Sequence, residues 1–582
     1  MAVKVRFDCD SPPAVMSAAV RLARNCWVFV CLLFFGLALQ CAHAQSLLAS
    51  NAGDISRDLR RAERPEMAAP PAALSKEALP PAVPGEITVR AESFVFGGAS
   101  LVSVQDLQAI MQPFVGKALT LRQLDAAAQR IAELYRARGW LASVYLPPQE
   151  VANGQVTITV LEGKLVGVTV EGQAGPAQVA LVERLIASHV KLGEPLSVAA
   201  LERGLLLFND IPGVSATGTL VPGPKAGELL LRVRLESKND SKSNGELRNH
   251  GSRATGEAQI AVGVERTLNL GRGERVSADA LVSEGTRAIN LSCSAYPAGN
   301  GLRVGVQLSH VAYRLIGNFS LLKSVGESNE LTANAAYPLV RSESSNLRLM
   351  SAATFRSNQD YVLDTRIRNR LIKFVSLGLA GDRRDADGQG IMWGNVRLNL
   401  GNVDLMGLAG DLAQDQAGPR VEGHFQKITM GVSRSQALGQ KVTLLTSLGA
   451  QWASKNLDSS ERFVLGGPNG VRAYPVGEAS GDQGVLLKFE AQRVLQGNWN
   501  GFGFLDAGCI RVNSKPWVSG VSLNSYCLYA AGLGSRWRHA DGWLLEGVLA
   551  APLGRNPGTG RSVNQDGSIL GPRLWVRLSK DF

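Results

Sequence analysis

The sequence predicts a membrane β-barrel of about sixteen antiparallel transmembrane strands, preceded by two small βααββ domains and a short N-terminal helix. Three observations support this fold class. The chain begins with the composition of a secretory leader, and one order of helices and strands occurs twice between residues 86 and 236. After Asn239 the helical period disappears, and short segments alternate between apolar and polar side chains.

Residues 1–44 are interpreted as a signal peptide that is cleaved after Ala44. Two arginines precede the apolar run Trp27–Leu39, which is shorter than the roughly 18–20 residues of a membrane helix. The sequence does not decide whether translation begins at Met1 or at Met16. No later stretch is apolar for long enough to form a membrane helix, so a membrane-embedded chain would cross with strands.

The segment 45–64 follows the leader and carries a predicted amphipathic helix over residues 54–64. The apolar face of this helix consists of Ile55, Leu59 and Ala62. Pro65 ends the helix. Residues 65–85 are rich in Pro and Ala, which predicts an extended linker and not a folded domain.

Two copies of a βααββ unit follow, a first repeat domain over 86–163 and a second repeat domain over 164–239. In the long helix of the first copy, Thr120 and Gln123 form a predicted capping box, and Gly139 marks the end of the helix. Repetition of a small unit of this kind indicates stacked domains outside the barrel.

The remaining residues 240–582 are predicted to form the barrel. The last strand alternates most clearly, with Leu574, Val576, Leu578 and Phe582 on one face and Arg573, Trp575, Arg577, Ser579 and Asp581 on the other. A soluble β-sandwich also alternates, but the leader, the length and the charged residues on one strand face favour a barrel. Short turns are predicted to follow two Tyr-Pro pairs, Tyr296-Pro297 and Tyr337-Pro338, where the chain should reverse at the periplasmic rim.

The sequence predicts no catalytic, cofactor-binding or metal-binding residues. Metalloprotease, phosphate-binding-loop, paired-cysteine and serine-hydrolase motifs are all missing from it. The formal charge of +11 is compatible with nucleic acid, lipopolysaccharide or an acidic protein as partner. Its basic residues are not interleaved with aromatic ones, which argues against a nucleic-acid partner.

Three cysteines remain after the leader, Cys293, Cys509 and Cys527, too few for a disulfide scaffold. Cys509 and Cys527 flank an outward loop between neighbouring predicted strands in an oxidising compartment. Whether the two are bonded stays open at this point, because the strand register is unknown.

Three stretches resemble the two-partner secretion transporters, the TpsB or hemolysin secretion/activation type within the Omp85 superfamily. Residues 135–165, "YRARGWLASVYLPPQEVANGQVTITVLEGKL", resemble the first POTRA domain of that family, and 208–223, "FNDIPGVSATGTLVPG", resemble part of the second. The "VRAYP" stretch beginning at Val471 resembles the V-R-G-Y loop of the superfamily, with Ala473 where the motif has Gly. The terminal Phe582 resembles the family's barrel-insertion signal.

The resemblance implies an outer-membrane transporter that exports one large TpsA-type exoprotein, an adhesin or hemolysin, without nucleotide. The repeat domains would be periplasmic POTRA domains that catch the unfolded partner, and the helix 54–64 would plug the resting barrel. Outer-membrane lipid, lipopolysaccharide and the barrel-assembly machinery would be further partners. An Omp85-type assembly factor and a passive porin remain alternatives. The exoprotein, its activation and the oligomeric state are not predicted.

The resemblance also implies that the loop 466–484 dips into the lumen instead of lying on the surface. Arg472 at its tip needs a partner there, because a buried unpaired guanidinium is costly. The strand "GFGFLDAG" places Phe504 and Asp506 on one face, similar to the family's F-x-D strand. We therefore expect an ion pair between Arg472 and Asp506, with Val471 and Tyr474 packed against the barrel wall.

Overall fold

The computed structural model describes residues 51–61, 88–172, 176–237, 241–268, 270–518, 520, 523–560 and 562–582. The predicted signal peptide 1–44 and the predicted linker 65–85 lie outside these ranges. Within them, no helix combines the length and apolar character that a membrane span requires.

The first helix, α1, spans Ala52–Arg61 and so begins two residues before the predicted start. Asn51 explains the difference, because its side chain caps the helix. The Asn51 Oδ1 atom accepts a 3.1 Å hydrogen bond from the Asp54 backbone N–H, and Asn51 Nδ2 donates to Asp54 Oδ2 at 2.6 Å. The predicted end, residues 62–64, lies outside the described residues.

The first repeat domain folds helices over a small sheet. Its elements are β1 (Thr88–Ala91), β2 (Ser93–Gly97), α2 (Val104–Met111), β3 (Lys117–Thr120), α3 (Leu121–Ala137), β4 (Ala142–Tyr145) and β5 (Gln155–Glu162). The main sheet has the order β2–β5–β4, and β1 and β3 form a separate pair. The predicted capping box is present, since Gln123 N–H donates to Thr120 Oγ1 and Thr120 N–H donates to Gln123 Oε1.

The second repeat domain has the same topology without the extra pair of strands. Its elements are β6 (Lys164–Gly172), α4 (Pro176–His189), α5 (Val198–Asn209), β7 (Val214–Pro222) and β8 (Glu228–Ser237). The sheet order is β6–β8–β7. Backbone hydrogen bonds join the two domains, from Leu141 N–H to Leu196 O at 3.2 Å and from Leu196 N–H to Gly163 O at 2.7 Å.

Sixteen strands of the described chain close into an antiparallel barrel, in which the first strand pairs with the last. They are β9 (Lys242–Arg248), β10 (Gln259–Leu268), β11 (Glu274–Ser283), β12 (Thr286–Ala295), β13 (Arg303–Arg314), β14 (Val325–Arg341), β15 (Ser345–Val362), β16 (Thr365–Arg384), β17 (Gly390–Asp404), β18 (Gly423–Ala437), β19 (Val442–Ala453), β22 (Gln483–Val494), β23 (Trp499–Arg511), β24 (Ser525–Arg538), β25 (Trp543–Pro552) and β26 (Arg573–Asp581). A short helix, α6 (Ala409–Ala417), lies between β17 and β18.

Burial follows the predicted alternation in the last strand. Leu574 is 56% exposed on the outer face, whereas its neighbour Trp575 is 3% exposed and faces the lumen. The turns after β10, β12 and β14 contact the second repeat domain. The resemblance implies that this end of the barrel is periplasmic, and the longer connections lie at the opposite end.

The predicted short turn after Tyr337-Pro338 is present, but it begins only after Arg341 and spans residues 342–344. Strand β14 continues to Arg341, and its pairing with β15 shifts between Pro338 and Val340. This β-bulge lets a proline stay in the strand, because the ladder is already interrupted there. The other Tyr-Pro pair, Tyr296-Pro297, does follow directly after the end of β12.

Candidate functional site

The connection between β19 and β22, residues 454–482, folds into the barrel as a two-stranded hairpin, here called the lumen hairpin. Its strands are β20 (Phe463–Val464) and β21 (Ser480–Gly481), which pair with each other. The tip between them is buried, and Val471 and Tyr474 have no exposed surface. The two last residues of the predicted loop, 483 and 484, belong to strand β22.

Arg472 at the hairpin tip contacts the lumen face of strand β23 through Asp506. Arg472 Nε lies 2.8 Å from Asp506 Oδ2, and Nη2 lies 2.8 Å from Oδ1. The Arg472 backbone N–H also donates to Asp506 Oδ2, at 3.1 Å. A planar guanidinium can bind both carboxylate oxygens in this way, and an ammonium cannot.

Glu490 is a second partner of Arg472, which the sequence analysis did not include. Arg472 Nη1 lies 2.7 Å from Glu490 Oε2 on β22. The other oxygen, Glu490 Oε1, lies 3.0 Å from Nη1 of Arg536, which in turn contacts Glu546. The strand pattern could have indicated this partner, because Glu490 stands on the polar face of β22 directly opposite Phe504.

Aromatic side chains complete the surroundings of Arg472. The guanidinium carbon lies 3.4 Å from the centroid of the Phe504 ring, within the range of a cation–π interaction. Trp575 Nε1 donates a 2.7 Å hydrogen bond to the Arg472 carbonyl. Val471, Tyr474 and Phe504 belong to one buried apolar cluster. The structure thus brings together all five residues that the sequence analysis grouped.

Burial and charge act in opposite directions on Arg472, which is 4% exposed. Burial alone lowers the pKa of its guanidinium, but the hydrogen bonds and charges of Asp506 and Glu490 outweigh this and raise it. The side chain is therefore a fixed cation. Ala473, which replaces the glycine of the superfamily motif, is not among the residues with positive φ, so alanine fits here without backbone strain.

A second contact ties the lumen hairpin to the loop between β25 and β26. Glu478 is 1% exposed and accepts hydrogen bonds from Asn556 Nδ2 at 2.6 Å and from the Gln565 backbone N–H at 2.8 Å. Burial raises the pKa of Glu478 to about 7, against the lowering effect of these hydrogen bonds. No signal in the sequence points to this contact, because it joins two irregular segments.

Charged residues of the barrel wall hold the base of the lumen hairpin. Arg356 on β15 and Lys427 on β18 both form ion pairs with Glu461. Arg370 on β16 binds Asp458 at 2.9 Å and Asp411 of α6 at 2.6 Å. The hairpin is thus fixed to the wall at its base as well as at its tip.

Helix α1 lies inside the barrel between the wall and the lumen hairpin. The Ala52 backbone N–H at its N-terminus donates to Asp360 Oδ1 of β15 at 2.9 Å, where a carboxylate is favoured by the helix dipole. Arg57 Nη1 donates to the Ser459 carbonyl at 2.7 Å. Ile55 packs against Val311 and other residues of β13 and its loop.

Cys509 and Cys527 form a disulfide bond with an S–S distance of 2.02 Å. They are directly opposite each other on β23 and β24, on the outer face of the wall. In the chain-entropy model, closing a loop of this length stabilises the fold by about 3 kcal/mol. Among the described cysteines, Cys293 on β12 is free and exposed.

Phe582 lies at the seam where the barrel closes. Its backbone N–H donates to the Ser243 carbonyl of β9 at 2.9 Å, and its side chain is 79% exposed. Within the described residues, no group of three or more His, Cys, Asp or Glu side chains is arranged to hold a metal ion.

Comparisons with known proteins point to one family. The sequence model of the haemolysin secretion/activation proteins ShlB/FhaC/HecB matches residues 227–535, and that of the ShlB-type POTRA domain matches 89–163. The heme/hemopexin transporter protein HuxB of Haemophilus influenzae strain 86-028NP is 28% identical over 480 residues, 78% of this chain and 82% of HuxB. The outer membrane transporter CdiB of Dickeya dadantii is 24% identical over 415 residues, 68% of this chain and 70% of CdiB.

Solved structures with the same fold include CdiB and a BamA that lacks its POTRA domains 1–3. CdiB from Escherichia coli superimposes with a TM-score of 0.69 at 20% identity, over 92% of this chain and all of CdiB. BamA from Haemophilus ducreyi superimposes with a TM-score of 0.51 at 13% identity, over 85% of this chain. At these identities the likeness shows the fold alone.

Proposed function

Because this chain belongs to the haemolysin secretion/activation family ShlB/FhaC/HecB, the outer-membrane transporters of two-partner secretion, we propose that it exports one large TpsA-type exoprotein. The family consists of transporters and not of enzymes, and its POTRA domain lies in the periplasm. One structural observation supports the proposal in addition to the family membership. Two elements, α1 and the lumen hairpin, lie in the lumen and are held there by side-chain contacts.

The exoprotein enters in unfolded form from the repeat domains. Among the described residues, each domain has a three-stranded sheet whose outer strands, β2 and β4 in the first and β6 and β7 in the second, pair with another strand on one side only. An extended chain can add to such an edge through backbone hydrogen bonds with little demand on its sequence. Capture by edge strands suits a partner that has not yet folded.

The lumen suits the passage of a polypeptide because polar side chains line it. A cavity of about 420 Å³ beside α1 is bordered by polar residues of the wall, among them Asn244, Asp279, Asn290 and Gln307. Polar groups can replace water around the peptide groups of a passing chain, which hydrocarbon cannot do. Transport proceeds without ATP, and folding of the exoprotein outside the cell biases its direction.

Contacts with the surrounding membrane follow from the same proposal. The apolar outer face of the barrel lies in the lipid and lipopolysaccharide of the outer membrane. Insertion depends on the barrel-assembly machinery, and the exposed Phe582 at the end of β26 serves as its signal.

An export assay tests the proposed function. We expect the neighbouring gene to encode a very large secreted β-helical protein, which serves as the exoprotein. Cells that express both proteins should display it in a protease-accessible form at the surface, and cells without the transporter should retain it in the periplasm. Equal surface display in both strains would contradict secretion. A loss of resident porins in cells without this chain would favour an assembly factor instead.

We expect α1 to plug the resting channel. Deletion of residues 45–64 should raise the single-channel conductance in planar bilayers, because α1 fills part of the lumen. Gly53→Val should raise the conductance more weakly, since a Cβ there would lie 2.6 Å from Ser459 Oγ and 3.0 Å from the Ser460 nitrogen. Gly97→Val in β2, where a Cβ meets nothing within 4 Å, is the matched control. An unchanged conductance after the deletion would speak against a plug.

A further inference from the structure

The second repeat domain is attached to the barrel through a charged pair at the end of α5. Asp210 caps the C-terminus of this helix and faces Arg341, the last residue of β14. Arg341 Nε lies 2.9 Å from Asp210 Oδ2, and Nη2 lies 2.8 Å from Oδ1. The Arg341 side chain is only 6% exposed and that of Asp210 25% exposed, so the pair is largely withdrawn from water.

The positions of Asp210 and Arg341 are not explained by contacts within the helix or the strand to which each residue belongs. An anion at the C-terminus of a helix is disfavoured by the helix dipole, so Asp210 does not stabilise α5. On the barrel side, Arg341 Nη1 donates to Asn346 Oδ1 at 3.0 Å, and Asn346 Nδ2 donates to Asp382 Oδ2 at 2.8 Å. The barrel therefore holds the Arg341 guanidinium in a fixed orientation, in which its Nε and Nη2 atoms face the carboxylate of Asp210.

The β-bulge in β14 provides a second contact between the barrel and the second repeat domain, beside the Asp210–Arg341 pair. These contacts are here called the seat of the second repeat domain. Leu339 drops out of the ladder between Pro338 and Val340, which frees carbonyl groups for other donors. Arg203 of α5 uses them, donating to the carbonyls of Pro338 and Leu339. The irregularity that allows a proline in the strand thus also creates acceptors for the second repeat domain.

Contacts at neighbouring turns of the barrel further restrict how the second repeat domain can pack against the seat. The Tyr296 hydroxyl donates to the Asp210 carbonyl at 3.0 Å, and Ser188 Oγ donates to the Gly299 carbonyl at 2.6 Å. At Gly273 the backbones approach so closely that a Cβ would lie 2.5 Å from the Ile211 side chain. Three periplasmic turns therefore contact one end of the domain.

We propose that the Asp210–Arg341 pair is a positioning device that fixes both repeat domains in one orientation at the periplasmic mouth of the barrel. The backbone hydrogen bonds from Leu141 N–H to Leu196 O and from Leu196 N–H to Gly163 O carry this orientation on to the first repeat domain. A chain captured on the sheet edges is then presented to the lumen and not to the open periplasm. The proposal rests on the proposed function for its effect on secretion, but the attachment itself does not.

Cross-linking measures the attachment without an exoprotein. Cysteines at Ser188 and at Asn300, the neighbour of Gly299, in a Cys293→Ser background, should be joined readily by a short bismaleimide reagent in otherwise unchanged chains. Arg341→Gln and Asp210→Asn should each lower the cross-linking rate by roughly tenfold, because a charge-assisted pair is lost. The swap of Asp210→Arg with Arg341→Asp should restore much of it. Glu343→Gln, in the same turn but outside the pair, is the matched control and should have no effect.

Secretion of the exoprotein is the second readout. Arg341→Gln and Asp210→Asn should lower it, and the swap should recover it, while heat-modifiability and channel conductance show an intact barrel in every variant. Equal cross-linking in Arg341→Gln and in the unchanged chain would overturn the proposal, and so would normal secretion despite lost cross-linking. If the unchanged chain secretes nothing, the proposed function fails, but the cross-linking comparison still decides on the attachment.

Discussion

Arg472→Ala is expected to reduce secretion of the exoprotein by roughly tenfold or more while a folded barrel stays in the outer membrane. The substitution leaves Asp506 buried with its carboxylate unpaired, and removing one partner of a buried pair typically costs about 3–5 kcal/mol. Of the contacts between the hairpin tip and Asp506, only the hydrogen bond from the backbone N–H of residue 472 then remains. The sixteen strands do not depend on this pair, so the barrel itself should persist.

Further variants of Arg472, Asp506 and Glu490 show whether Arg472 and Asp506 act through one shared interaction. Asp506→Ala should match Arg472→Ala, and the double variant should be no worse than either, because one interaction is lost in all three. Glu490→Gln is the matched control. It removes a charge from the same site but leaves the two-fold contact with Asp506, so its effect should be smaller. Arg472→Lys should remain impaired, since an ammonium cannot bind both oxygens.

Surface exposure of the exoprotein, normalised to the amount of heat-modifiable transporter, is the measurement for this series. Normal secretion by Arg472→Ala or by Asp506→Ala would refute a functional lock. Effects that multiply in the double variant would show that the two residues act separately.

Deletion of residues 86–163 is expected to abolish export. The deletion removes the first repeat domain and with it two open sheet edges, while the barrel and its seat for the second repeat domain remain. The exoprotein should accumulate in the periplasm and be degraded there. The transporter should still fractionate with the outer membrane and keep its conductance. Export that survives the deletion would show that capture by the first repeat domain is not required.

The parts of the molecule that sequence reasoning predicts well depend on local periodicity. The alternation around Trp575 and the capping box at Thr120 are both present, because each is decided by residues close together in the chain. Asp506 could be assigned to the lumen for a similar reason, since a carboxylate inside an apolar strand is excluded from the lipid. The same argument applied to β22 would have indicated Glu490.

Other features depend on contacts that no local pattern encodes. Glu478 meets Asn556 only because two long irregular segments pack together, and the start of α1 depended on recognising Asn51 as a cap. Strand β14 continues through Pro338 to Arg341, although proline usually interrupts a strand. The bulge that accommodates it is part of a contact with a different domain.

The bond between Cys509 and Cys527 has a mechanical consequence for the wall that bears Asp506. Strands β23 and β24 stay covalently tethered at Cys509 and Cys527 even when the hydrogen bonds between them are broken. Any pull that a passing chain exerts on Asp506 is shared by two strands instead of one. The strand that anchors Arg472 therefore keeps its partner on that side when the barrel deforms during transport.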